Sequence, residues 1–187
     1  MDKIKRIQLI VKSITAAVIL FAVIFTVNFV RILEKNRVIL PWNIKWNESD
    51  FREGDAILVV KNKGAIVMSG DEVIWQSEEG VRVSDGLLID IDGDLENELI
   101  ILCWRKGKYG KHKPFWIKKD ESFWSQHIYI YDFNKKKNEI RPKWMASDIG
   151  FTVAFWEYDG SCLILTDKDN GKKSKWMWKS WGLERVE

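Results

Sequence analysis

Residues 87–104 read LLIDIDGDLENELIILCW. Two short apolar runs flank an acidic stretch that carries Gly93 and Asn97. Neither run is long enough for a helix, and Gly, Asn and Asp mark a turn between them. The reading is a strand, a tight acidic loop and a second strand. The same texture extends outward in both directions. AILVV (56–60), AIVM (65–68), VIW (73–75), HIYIYDF (127–133), FTVAFWEY (151–158), CLILT (162–166) and KWMW (175–178) are separated by Gly, Asp, Asn and Lys clusters. No segment of 55–187 sustains a 3.6-residue period. Many short strands with turn residues between them predict an all-β domain.

Inside the loop, Asp90, Asp92 and Asp94 alternate, and Glu98 follows four residues later. A hard cation such as Ca²⁺ takes about 6–8 oxygens at about 2.3–2.6 Å, and a tight loop can turn alternate carboxylates inward. Glu96 would add its backbone carbonyl. The predicted metal set is therefore Asp90, Asp92, Asp94, Glu96 and Glu98. Strands rather than helices flank the loop, which excludes an EF-hand. A solvated acidic hairpin without an ion is the competing reading.

An internal repeat organises the rest. Ser77, Gly80 and Val83 after Trp75 recur seventy positions later as Ser147, Gly150 and Val153 after Trp144. Trp178-Lys179-Ser180 with Gly182 reads as a third copy. Gly54-Asp55 before AILVV parallels Gly160-Ser161 before CLILT. Each unit reads as a small antiparallel sheet, and the middle one carries an insertion at 106–124. About three propeller-like antiparallel blades fit into 55–187, fewer than the four a closed propeller typically needs. An incomplete propeller and a β-sandwich both remain open.

At Asp90, Asp92, Gly93, Asp94, Glu98 and Leu99 the sequence resembles the FG-GAP/VCBS repeats of integrin-like β-propellers, most clearly over 82–104. Their loop reads Asp-x-Asp-Gly-Asp-Gly-x-x-Glu/Asp-Leu. The second glycine is Leu95 here, so the loop is strained if that position needs a positive φ. The resemblance implies a structural Ca²⁺ and an extracytoplasmic role in adhesion or ligand binding.

The N-terminus has a different character. From Ser13 to Val30 no residue is charged. Residues 9–30 as a helix span about 33 Å, enough for a hydrocarbon core of about 30 Å. The run exceeds a signal-peptide core, and no small-residue cleavage site follows it. The expected layout is a cytoplasmic tail at 1–8, a transmembrane helix at 9–30, a stalk at 31–54 and an extracytoplasmic β domain at 55–187. The short basic tail, with Lys3, Lys5 and Arg6, favours N-in and C-out. Pro41 is expected to stop the helix.

The 187 residues include two Cys, two His and eleven Trp, and the net charge is +3. Two Cys exclude a disulfide-stapled scaffold and a multi-cysteine zinc site. The small net charge gives no footprint for nucleic acid, and none is expected as a partner. Lys106, Lys108, Lys111, Lys113, Trp116 and Trp124 gather in the insertion, a basic and aromatic set suited to an anionic polymer. His112 and His127 make no credible catalytic or metal pair, and alternation sets His127 and Asp132 on opposite faces. Cys103 and Cys162 sit in apolar strands, as free thiols or as a pair.

The sequence thus predicts a membrane-anchored, non-catalytic binding or assembly module of a bacterial envelope, with a structural calcium loop. A carbohydrate- or wall-polymer-binding module and an accessory subunit of an envelope complex are the alternatives.

Overall fold

The computed structural model describes residues 2–109, 115–134, 137–146 and 149–187. Two compact units separate at Pro41.

The first unit is one helix, α1 (Asp2–Lys35). It contains a candidate membrane span, Lys5–Lys35, of mean hydropathy 2.4, none of it buried by protein. Such a helix can serve as an anchor or as a signal sequence. Its two threonines leave no stray hydroxyl: Thr15 and Thr26 donate to the carbonyls of Val11 and Ala22 one turn back. The helix ends at Lys35, six residues before the expected stop at Pro41. Arg37 takes φ 54, and the amides of Arg37 and Val38 donate to the carbonyls of Glu34 and Leu33. These two bonds close the last turn as a Schellman cap does.

The second unit, 42–187, is three consecutive four-stranded antiparallel meanders. The first comprises β1 (Ser49–Glu53), β2 (Ala56–Lys61), β3 (Gly64–Ser69) and β4 (Glu72–Gln76). The second comprises β5 (Arg82–Ile89), β6 (Glu98–Lys106), β7 (Trp124–Asn134) and β8 (Glu139–Met145). The third comprises β9 (Val153–Tyr158), β10 (Leu163–Asp167), β11 (Lys173–Lys179) and β12 (Gly182–Arg185). Among the described residues no sheet closes on itself.

The middle sheet is covered on both faces. Leu99, Ile101 and Cys103 of β6 join Leu58, Val60 and Val67 of the first sheet in one core. Ile100 and Leu102 join Leu163 and Leu165 of the third sheet in the other. That is why β6 reads as an unbroken apolar run: a strand with two buried faces has no polar side to alternate with. The outer sheets alternate instead, as in β2, where Ala56, Leu58 and Val60 point inward.

The sheet region begins earlier than residue 55, because β1 lies inside the expected stalk and pairs with β2. The Trp repeat is also offset. Trp75 and Trp144 lie in the fourth strand of their sheets, whereas Trp178 lies in the third strand of its sheet. Ser147 falls outside the described residues. The turns at 54–55, 90–97 and 159–162 do occupy the same place, between the first and second strand of each sheet.

Candidate functional site

The acidic loop joins β5 to β6, at the end of the buried middle sheet. Asp90 starts it, and both its carboxylate oxygens are spent on the turn. Oδ1 accepts from the amides of Gly93 and Asp94, and Oδ2 accepts from that of Leu95. Leu95 sits at φ 71, a left-handed conformation, and is 91% exposed. The loop thus holds its shape with a left-handed leucine, a conformation that normally disfavours a Cβ.

Asp90, Asp92 and Glu98 each bring a ligand oxygen within 4.8 Å of the others, so the trio could hold a cation. Asp94 and Glu96 are not in that group. Asp94 Oδ1 accepts the Glu96 amide at 2.8 Å, and both residues are exposed. A cation already stands among these carboxylates. Lys143 Nζ lies 2.5 Å from Asp92 Oδ2, 2.7 Å from Glu98 Oε1 and 2.9 Å from Asp132 Oδ1. It also stands 5.4 Å from the centroid of the Trp178 ring, within cation–π range. Glu98, only 2% exposed, gives its second oxygen to the Ile91 amide at 3.0 Å. Tyr158 donates to the Asp90 carbonyl at 2.8 Å. Loop, middle sheet and third sheet are thereby tied together.

The electrostatics follow from this geometry. Burial works against the charge on Lys143, but the hydrogen bonds it donates to Asp92, Glu98 and Asp132 outweigh it and push its pKa up. Burial pushes Glu98 up, and the Lys143 and Ile91 bonds pull it only part of the way back. Three oxygens from the trio fall short of the six to eight that Ca²⁺ prefers. The set fits an ammonium as it stands. A metal ion would have to draw Lys143 away and recruit further oxygens.

Lys143 reaches the loop through a β-bulge. Ile130 pairs with Trp144 and Tyr131 with Pro142, so Lys143 is the extra residue on β8. A bulge re-aims a side chain out of strict alternation. Sequence reasoning placed no role on Lys143, and its only signal was a lysine beside the prolyl residue of a strand.

The basic insertion joins β6 to β7. Lys111, His112 and Lys113 lie outside the described residues. Asp120 fastens the base by accepting the amides of Lys108 and Tyr109. Lys108 pairs with Glu121 at 3.7 Å, and Lys106 lies 5.7 Å from the half-buried Trp124 ring. Phe115 and Trp116 project outward, 94% and 68% exposed, with their rings edge to face at 4.8 Å.

His127 is buried in the middle sheet. Its Nδ1 lies 2.9 Å from the Ala146 carbonyl, which can only accept, so that nitrogen carries a proton. Ser125 Oγ lies 2.8 Å from Nε2 and is itself buried. Cys103 and Cys162 are both buried and free.

A cavity that sequence reasoning missed lies beside the second core. It has a volume of about 120 Å³ and is walled by Trp104, Trp156, Gln126 and Asp85, with Asn43, Lys45 and Lys168. No family model, curated protein or solved structure matches this chain.

Proposed function

We propose that this chain is a single-pass, N-in membrane protein that displays a non-catalytic, propeller-like binding module on the outer side of a bacterial membrane. The observation that carries the reading is the exposed Phe115–Trp116 pair in a lysine-rich insertion. Each exposed ring offers an apolar face for a sugar to stack on, and the neighbouring lysines favour an anionic polymer such as an acidic wall or capsule polysaccharide. The acidic loop has a structural role in this account. Lys143 supplies its cation, and Ca²⁺ would bind only by displacing that ammonium.

Retention on immobilised alginate, a polyuronate, against dextran, a neutral polymer, tests the reading with the full chain in nanodiscs. Binding to alginate alone, lost in the Phe115→Ala/Trp116→Ala double variant, supports it. Equal retention on both polymers, or a double variant that binds as well as the parent, contradicts it.

A further inference from the structure

The outer face of the first sheet is built differently from that of the third. In β2 and β3, Leu58, Val60, Ala65 and Val67 fill the first core, so Ile57, Val59, Ile66 and Met68 point the other way. Met68 pairs with Val73, which is 50% exposed on the same outer side. None of these five apolar residues belongs to either core. The ladder sets them in two neighbouring rows across the sheet. One row runs Asp50, Val59, Ile66, Gln76, and the other runs Arg52, Ile57, Met68, Val73. The only charges in the two rows are Asp50 and Arg52, on the edge strand β1. The outer face of the third sheet breaks up its apolar residues with charge instead. There Lys173 pairs with Glu157 at 2.9 Å and Lys175 with Glu187 at 3.5 Å. A contiguous apolar patch with a polar rim marks a surface that meets a partner.

The charges select the partner. Asp50 and Arg52 are both exposed, one in each row. Consider a two-fold axis in the plane of contact, at right angles to the strands and between the rows. It reverses strand direction and keeps strand order, so it lays the Asp50 row of one copy over the Arg52 row of the other. Asp50 then meets Arg52 twice, Val59 meets Ile57 twice, and Ile66 meets Met68 twice. At the ends of β2, the exposed Lys61 comes over the exposed Asp55 of the second copy. The face is complementary to itself, as an isologous contact requires. A two-fold axis along the strands would instead lay β1 over β4 and leave Asp50 and Arg52 opposite Gln76 and Val73.

We infer that this face binds the same face of a second copy of this chain. The two sheets pack about 10 Å apart, with strand directions within about 30° of antiparallel. Four strands about 4.8 Å apart and about five residues long give a face of about 300 Å². That is less than half of the about 800 Å² per partner in a standard interface, so pairing between free molecules is weak. Two chains held in one membrane meet at a far higher effective concentration, and there the small contact suffices. The inference rests on the membrane-anchored reading for that shared plane. It shares no residue with the Phe115–Trp116 pair and stands whether or not that pair binds polymer.

The test uses the full chain, labelled in separate batches with donor and acceptor fluorophores and reconstituted together in liposomes over a range of protein-to-lipid ratios. Flotation checks insertion, and melting temperatures check that each variant is folded. Energy transfer above random proximity is expected, saturating as the ratio rises. Asp50→Arg and Arg52→Asp each set like charges opposite one another and should weaken pairing about fivefold or more. The chain carrying both substitutions has the pair exchanged and should recover pairing to within about twofold. Val59→Asp places a charge in the middle of the patch and should abolish pairing. Transfer no greater than random proximity, or undiminished in a folded Val59→Asp, overturns the inference. So does a double variant as weak as the two single ones, because the face then takes a different partner. A chain that fails to float with the liposomes overturns the membrane reading and this inference with it. Loss of alginate retention with pairing intact overturns neither the pairing nor the anchor.

Discussion

Lys143 Nζ lies 2.7 Å from Glu98 Oε1, and Glu98 is buried. A carboxylate in that position must have a partner, because a buried charge without one is costly. The lysine comes from the bulge on β8 and the glutamate from the first residue of β6, two strands away in the same sheet. Their contact holds the acidic loop against the sheet without an outside cation.

Lys143→Met removes the ammonium and strands Glu98, Asp92 and Asp132. The expected loss is about 3 kcal/mol, the low end for breaking a buried ion pair from one side. Chemical denaturation of the full chain in nanodiscs measures it. In the double variant with Glu98→Gln the loss should be clearly smaller than the sum of the two single losses, because the two groups act on each other. Strict additivity would show that they do not.

Leu95 holds φ 71 while its side chain touches little. Leu95→Gly relieves that conformation and loses almost no packing. Left-handed strain of about 1–2 kcal/mol is partly offset by the entropy glycine loses on folding. A net gain of about 0.5–1 kcal/mol in denaturation is expected, and a loss would show that Leu95 makes contacts of its own.

Alkaline pH should destabilise the β unit. Burial pushes the Tyr129 hydroxyl up to about 12, and it raises Tyr131 and Cys103 as well. Hydrogen bonds to three carboxylates raise Lys143. In every case the folded chain keeps a proton that the unfolded chain releases first. The stabilisation is complete below the unfolded values, about 8.5 for Cys and about 10 for Tyr and Lys, and is lost as pH rises toward the folded ones. Tyr129 alone contributes about 2–3 kcal/mol of that loss by pH 12. Melting temperatures measured from pH 7 to 11 should be flat at first and fall steeply above about pH 9. Tyr129→Phe should flatten part of the fall.

Ser125 lies in a hydrogen bond to His127, but both are buried. A fluorophosphonate probe, which labels activated serines, should leave the native chain unmodified. Labelling at Ser125 would contradict the non-catalytic reading.

The strands that the sequence revealed are the well-covered ones. β2, β3, β6, β7 and β10 each carry the apolar residues that fill the two cores. The three strands it concealed are β1, β8 and β12, and all lie at sheet edges. An edge strand has a partner on one side only and needs few apolar residues, so SDFRE, EIRPKWM and GLER read as turns or linkers. The acidic loop was legible from the spacing of Asp90, Asp92 and Glu98. The cation was not, because Lys143 meets them only through a register shift between Ile130 and Tyr131. Strand β9 carries a bulge of the same kind. Val153 and Trp156 both face inward while Ala154 is exposed, against simple alternation, where β9 shifts register on β10. The Trp104 cavity was hidden because its walls come from segments as far apart as Asn43 and Lys168.

The most direct test of the account is thermal unfolding of the full chain in nanodiscs, first with excess EDTA and then with calcium up to about 10⁻³ M, the range of extracellular calcium modules. With Lys143 as the resident cation, the melting temperature should stay within about 1 °C throughout. A rise of about 5 °C or more that grows with calcium and disappears in Asp92→Ala would contradict it, because the loop would then bind the metal in preference to its own lysine.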